Sequence, residues 1–186
     1  YGDVPLVQRS TINQLLKLAS KNSLSVLTFK KKQPKGYGRI IRNSKKQVEA
    51  IVEEKDATKE QKAIKEVNSG IMAIKSHSLT KLIAMISNKN AAKEYRLTDI
   101  VELANRNDIN VRALLLKDSR EALGANNLQE LHDIERAYQK KLAEDLIKSG
   151  VLIADSSRID IRGEIQVGRE TFIDVNTVFN GNNTIG

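Results

Sequence analysis

The sequence has no cysteine, no tryptophan and only two prolines, and aromatics make up 4% of its 186 residues. Without cysteine there are no disulfides and no thiolate metal sites, which fits a reducing compartment, read here as the cytoplasm. No apolar run is long enough to span a membrane, and no charged-then-apolar leader opens the chain. The first residues, Tyr1-Gly2-Asp3-Val4-Pro5, lack an initiator methionine, so a leader ahead of them stays open. The few aromatics also exclude the interleaved stacking pattern of single-strand nucleic-acid binders. That weighs against reading the net charge of +8 as a nucleic-acid signal. Lys30-Lys31-Lys32 and Lys45-Lys46 flank predicted turns, and Lys140-Lys141 lies on the polar side of a helix rich in Glu and Asp. Charge of this kind describes a solvated surface, and no nucleic-acid partner is expected.

What is present alternates between helical and extended patterns. Apolar positions Ile12, Leu15, Leu16 and Ala19 predict a helix over 10–19, with Ser10 as its N-cap. Residues 24–30 read as a short strand, and Pro34 with Gly36-Tyr37-Gly38 forces a turn. Strands over 39–42 and 47–54 are joined through Asn43-Ser44-Lys45-Lys46, a hairpin loop. Thr58 and Gln61 form a capping box for a short helix over 59–64. Residues 67–75 return as a strand, weakened at Gly70 unless a ligand or another backbone approaches there. Helices over 79–86 and 98–107 follow, then an apolar strand over 111–117 of the kind buried on both faces. Asn126 or Asn127 caps a long helix ending at Lys148, whose stripe of Leu128, Leu131, Ile134, Tyr138, Leu142 and Leu146 is packing surface; Gly150 stops it. Residues 1–6 read as the end of a strand entering a loop. The alternation argues for an α/β fold.

Within this order the stretch 36–70 stands out. Gly38 follows a turn, Glu53 ends a strand in carboxylates and Asn68 opens the next strand. Three polar groups at strand ends are placed where an open α/β sheet holds its ligand.

Past Gly150, Ile161, Val167, Ile173, Phe179 and Ile185 recur every sixth residue, each followed by a mostly small or turn-prone residue. A six-residue period belongs to a parallel β-helix, in which each hexapeptide makes one side of a coil with its apolar residue inward. About three or more repeat units are needed before such coils stand alone. The chain is therefore expected to be cut from a longer protein, truncated at both ends.

Tyr1-Gly2-Asp3-Val4-Pro5-Leu6, Gly36-Tyr37-Gly38-Arg39-Ile40, Ile51-Val52-Glu53-Glu54-Lys55-Asp56-Ala57-Thr58, Glu66-Val67-Asn68-Ser69-Gly70, Leu97-Thr98-Asp99-Ile100 and Gly124-Ala125-Asn126-Asn127 occur in an order that resembles one enzyme family closely. It is the bacterial bifunctional N-acetylglucosamine-1-phosphate uridyltransferase and glucosamine-1-phosphate acetyltransferase. The resemblance covers essentially the whole chain, and Asp160-Ile161-Arg162-Gly163 matches the junction between the family's two domains. It implies the C-terminal half of a Rossmann-like nucleotidyltransferase domain over 1–126, a linking helix over 127–150, and over 151–186 the start of a left-handed β-helix that makes homotrimers. The implied reaction joins UTP and N-acetylglucosamine-1-phosphate into UDP-N-acetylglucosamine and pyrophosphate. The second activity transfers acetyl from acetyl-CoA to glucosamine-1-phosphate. Both serve cell-envelope precursor synthesis. The nucleotide loop that holds the UTP phosphates and the acetyltransferase site would lie outside this chain, so the fragment alone is expected to be inactive.

By resemblance, Asp3 and Asn126 are Mg²⁺ ligands, Tyr1 and Gly2 line the nucleotide-sugar pocket, and Gly38, Glu53 and Asn68 contact the sugar. Read without it, Asp3 is a turn aspartate, Asn126 a helix cap, Gly38 a turn glycine, Glu53 a solvated strand-end charge and Asn68 a strand residue tied to its own backbone. Thr98 is read first as a helix N-cap and second as a neighbour of the sugar. The chain departs from the family's pattern at Ser69 (usually Thr), Arg96 (usually Tyr), Ala125 (usually Val) and Ser156 (usually Pro). The Arg96 difference puts contacts at the sugar edge in doubt. His77 and His132 match no catalytic position and read as surface residues. Two other readings stand beside this one: a related sugar-1-phosphate nucleotidyltransferase, because fold does not fix substrate, and a catalytically silent oligomerising scaffold.

Overall fold

A computed structural model describes residues 2–90, 93–125 and 127–186. Tyr1 and Asn126, both expected in the site, lie outside the described residues. The chain divides into two compact units, one over 7–122 and one combining 1–6 with 123–186.

The unit over 7–122 is built on a five-stranded mixed sheet. Its strands are β1 (Ser23–Lys30), β2 (Arg39–Arg42), β3 (Val48–Val52), β4 (Glu66–Ala73) and β5 (Asn110–Leu115), in the order β3-β2-β4-β1-β5. Only β1 and β5 run parallel; the other neighbours are antiparallel. β1 lies inside the sheet between β4 and β5 and is buried over seven consecutive residues. Its pleat sends Leu24 and Val26 to one face, where they meet helices α3 (Ser76–Ile83) and α4 (Ile100–Arg106) through Leu82, Ile100, Val101 and Ala104. Leu27 goes to the other face and packs with Leu15 and Ala19, at and just past the end of α1 (Arg9–Leu18). Each such aliphatic side chain taken from water contributes about 1.5–3 kcal/mol.

Several local expectations change. α1 starts at Arg9, and Ser10 does not cap it; Glu121 does so from far along the chain, accepting from Gln8 N (3.2 Å) and the Thr11 hydroxyl (2.6 Å). β5 is not buried on both faces, because it lies at the sheet edge with β1 as its one strand neighbour. α3 begins at Ser76 and α4 is preceded by a 3-10 turn over Leu97–Asp99. The capping box forms as read, with Thr58 and Gln61 closing α2 (Lys59–Lys62). Gly70 sits in a bulge of β4 opposite Leu27, between the pairs Val26–Met72 and Thr28–Asn68, and its φ of +84° is one that glycine adopts without a steric cost.

The start of β4 is held by Glu66, whose carboxylate takes two hydrogen bonds from Arg42 (2.8 and 2.6 Å) and one from the Thr28 hydroxyl (2.8 Å). Burial alone would raise its pKa, but the bonds from Arg42 and Thr28 hold it below its ordinary value.

In the other unit, residues 2–3 and 5–6 are turns and form no strand. Helix α5 (Leu128–Lys148) is capped by Asn127, whose side chain accepts from Glu130 N at 2.9 Å. The stripe on α5 is packing surface at Ile134, Leu142 and Leu146; Leu128, Leu131 and Tyr138 are 84%, 52% and 41% exposed. After it come six short strands: β6 (Leu152–Ile153), β7 (Ile159–Arg162), β8 (Ile165–Val167), β9 (Phe172–Ile173), β10 (Thr177–Asn180) and β11 (Asn183–Ile185). They pair in parallel as β6–β9, β7–β10 and β8–β11. Ile159 faces Thr177 and Ile165 faces Asn183, so the chain returns onto itself after 18 residues, which is three hexapeptides. Ile161 and Ile173 are buried together, with Val167 and Phe179 against them. Gln139 of α5 joins this core. Its amide accepts from Ile161 N (2.7 Å) and donates to Ile161 O (3.0 Å), as a neighbouring strand would.

Two outcomes follow from these anchors. Gln139→Leu leaves the buried Ile161 backbone unpaired and is expected to destabilise its unit by about 1–3 kcal/mol, read as a lower urea midpoint at unchanged slope. The depressed pKa of Glu66 means that its contribution is present above the unfolded carboxylate pKa of about 4.3 and is lost as pH falls through the folded value. Glu66→Gln should therefore lower stability at pH 7 and weaken its decline under acid, measured by urea unfolding across pH 3–7.

Candidate functional site

Gly38, Glu53 and Asn68 come together at one end of the 7–122 sheet. The turn that delivers Gly38 closes with Tyr37 N donating to Pro34 O at 3.2 Å. β2 then runs between β3 and β4, with Arg39 opposite Val52 on one side and Val67 on the other. That register sets Glu53 and Asn68, each the next residue along, on either side of Gly38. Asn68 N donates to Gly38 O at 2.9 Å. A Cβ at Gly38 would lie 2.8 Å from Ile51 Cγ2 and 3.3 and 3.4 Å from the two Glu53 carboxylate oxygens. The position therefore favours glycine because the Ile51 side chain, and less closely the Glu53 carboxylate, occupy the space a Cβ would take.

Glu53 is half-buried and accepts a hydrogen bond from the Thr98 hydroxyl at 3.0 Å. Thr98 is thus not a cap, as first read; the 3-10 turn starts after Arg96 with no side-chain cap, and the hydroxyl serves the carboxylate. Asn68 is buried, and its Oδ1 accepts from Gly70 N at 3.1 Å, the local tie that a strand asparagine makes. Its amide nitrogen finds no acceptor among the described residues. A cleft of about 510 Å³ opens beside Glu53 and Thr98, lined also by Gly36, Glu54, Arg96 and Leu97. One carboxylate with a donating hydroxyl and a buried side-chain amide close by suits a ligand rich in hydroxyl groups.

Charged groups shape this end of the sheet, of which the sequence singled out only Arg96. Arg39 is 2% exposed; its guanidinium donates to Glu54 at 2.6 Å and to Tyr37 O, while its Nε has no partner among the described residues. The Arg39 hydrogen bond holds the Glu54 carboxyl below its ordinary pKa. Arg96 forms an ion pair with Asp56. Burial pushes the Asp99 carboxyl up against the pull of Arg96, with Glu102, Glu53 and Asp56 adding to the rise. The one sequence signal for Arg39 was a charge set beside the apolar Ile40-Ile41 of a strand.

Gly2 and Asp3 belong to the other unit. Both are exposed, and Asp3 O accepts from Ala125 N at 2.9 Å, next to Asn126. The Asp3 carboxylate makes no hydrogen bond or ion pair among the described residues. No group of three His, Cys, Asp or Glu side chains gathers for a metal among them. A single exposed carboxylate still suits Mg²⁺, which uses one or two carboxylates and keeps water or phosphate oxygens. No helix among the described residues is long and apolar enough to cross a membrane.

No family model matches the chain. Over all 186 residues it is 46% identical to a protein of Idiomarina loihiensis named bifunctional protein GlmU, of which it covers 41%. A protein of the same name from Hydrogenovibrio crunogenus is 48% identical over 171 residues, 91% of this chain and 38% of that protein. That of Paraburkholderia phymatum is 45% identical over 186 residues, with 41% of it covered. The similarity read from the motifs thus runs through the whole chain, which spans about two fifths of the curated relatives it matches.

Gly38→Ala tests the packing of this end of the sheet. The added methyl must displace Ile51 or Glu53, and an overpacking cost of about 1–3 kcal/mol is expected. Thermal or urea unfolding reads the loss.

Proposed function

We propose that this chain, similar along its whole length to the proteins named bifunctional protein GlmU, carries the sugar-recognition half of a uridyltransferase and the start of an acetyltransferase. The observation that carries the reading is the meeting of Gly38, Glu53 and Asn68 at one sheet end, with Glu53 also lining a cleft, in a chain whose motifs match that family in order. Residues 1–126 would be the C-terminal half of the nucleotidyltransferase domain and 127–150 the linking helix. Residues 151–186 would begin a left-handed β-helix that assembles homotrimers; the parallel return after 18 residues supports a three-sided coil.

In the proposed reaction, a phosphate oxygen of N-acetylglucosamine-1-phosphate attacks the α-phosphorus of UTP. A new P–O bond forms, the bond to the β-phosphate oxygen breaks, and pyrophosphate leaves with that electron pair. Alignment of the two reactants is the protein's main task. Glu53, oriented by Thr98, accepts hydrogen bonds from sugar hydroxyls. The Asn68 amide nitrogen donates to the sugar, and Gly38 lets the ligand approach the backbone. Gly2, and Tyr1 outside the described residues, would line the nucleotide-sugar pocket. Asp3, with Asn126, would hold Mg²⁺, which when bound neutralises charge on the phosphoryl oxygens. The second activity, acetyl transfer from acetyl-CoA to glucosamine-1-phosphate, would belong to the rest of the β-helical domain, and the enzyme would work in the cytoplasm on cell-envelope precursors.

The test uses the full-length protein carrying this sequence. Asp3→Ala should lower uridyl transfer by about 100-fold or more while acetyl transfer continues. Unchanged uridyl transfer would remove Asp3 from the metal site. The 186-residue chain alone should turn over neither reaction, and measurable turnover would contradict that division of labour.

A further inference from the structure

Two tight turns face each other beside Glu53. In the first, Asp56 N donates to Glu53 O at 3.0 Å; in the second, Asp99 N donates to Arg96 O at 3.2 Å. They are linked twice by side chains. Arg96 at the start of the second turn pairs with Asp56 at the end of the first, and Thr98 donates to Glu53 at 3.0 Å. The Arg96 and Asp56 side chains are 14% and 26% exposed, so the pair is largely shielded from solvent. Arg96 and Glu53 both line the 510 Å³ cleft and also a neighbouring one of about 470 Å³, which Asp56, Asp99 and Arg106 border.

We propose that Arg96 is a positioning residue for sugar recognition: its ion pair with Asp56 fixes the 96–99 turn, so that the Thr98 hydroxyl holds the Glu53 carboxylate in one orientation over Gly38. A carboxylate that accepts one fixed hydrogen bond presents its remaining lone pairs in set directions, whereas a released one rotates and loses order on binding. Arg suits this task because its planar fork keeps its direction once paired. The inference rests on the sugar-site reading above.

The test is steady-state uridyl transfer by the full-length protein, with N-acetylglucosamine-1-phosphate and UTP varied separately. Arg96→Leu and the nearly isosteric Asp56→Asn should each raise the KM for the sugar phosphate about 5- to 20-fold, less than the roughly 10- to 150-fold of a lost charge-assisted hydrogen bond because only the orientation of Glu53 is relaxed. kcat and the KM for UTP should stay within about twofold, and the double variant should be no worse than either single one, because the two residues act as a unit. Arg96→Lys, which keeps the charge but not the planar fork, should recover only part of the loss. Glu53→Gln, run in parallel, tests the site reading itself. If it raises the sugar KM while Arg96→Leu and Asp56→Asn do not, the positioning role is wrong and the site stands. If none of the three moves it, both fail. Equal losses with both substrates and in kcat would show a general structural role and overturn the proposal.

Discussion

One backbone hydrogen bond, from Asn68 N to Gly38 O, decides where the chemistry of the 7–122 unit sits. β2 meets β4 through a single residue pair, Arg39 with Val67, and this bond extends that contact to the strand end. Because Arg39 also pairs with Val52, a one-residue slip of β2 would turn Gly38 and Glu53 to opposite faces. The surrounding anchors guard that register. Glu66 ties the start of β4 to β1 and β2, and the buried Arg39 is fastened to Glu54 and Tyr37 on the same side. The unpartnered Arg39 Nε is a cost accepted in return, since a buried donor without an acceptor is unfavourable by about 1–3 kcal/mol.

The second unit depends on a different kind of contact. Its six strands pair only two by two, and β6 and β9 hold two residues each, so the ladders alone cannot fix the coil. α5 closes it. Ala143 packs with Val151, Ile159, Ile161 and Ile173, and Gln139 supplies the hydrogen bonds of a missing strand. An amide is suited to this because it presents a donor and an acceptor side by side, as a peptide does.

Regular patterns were legible in the sequence, and long-range ties were not. The five strands and four α-helices of the 7–122 unit and the long helix α5 were foreseen within a few residues, because pleat and helix periods show in the apolar spacing. The six short strands after α5 were foreseen only as a repeat. The six-residue recurrence gave the inward positions Ile161 and Ile173 directly. β5 was misjudged because apolar composition does not tell a central strand from an edge strand; only the sheet order does. Ser10 was misread as a cap because the cap comes from Glu121, over a hundred positions away. For the site, the grouping of Gly38, Glu53 and Asn68 was legible as polar residues at strand ends. The links that orient it, Thr98 to Glu53 and Arg96 to Asp56, join segments some forty residues apart and leave no local signature.

The central claim is that this strand end reads a sugar. A crystal structure of the full-length protein with UDP-N-acetylglucosamine tests it most directly. The account predicts the sugar ring in the cleft beside Glu53, with hydroxyl groups within hydrogen-bond distance of its carboxylate and the Asn68 amide, and the ring against Gly38. A sugar bound elsewhere, with Glu53 and Asn68 untouched, would contradict it.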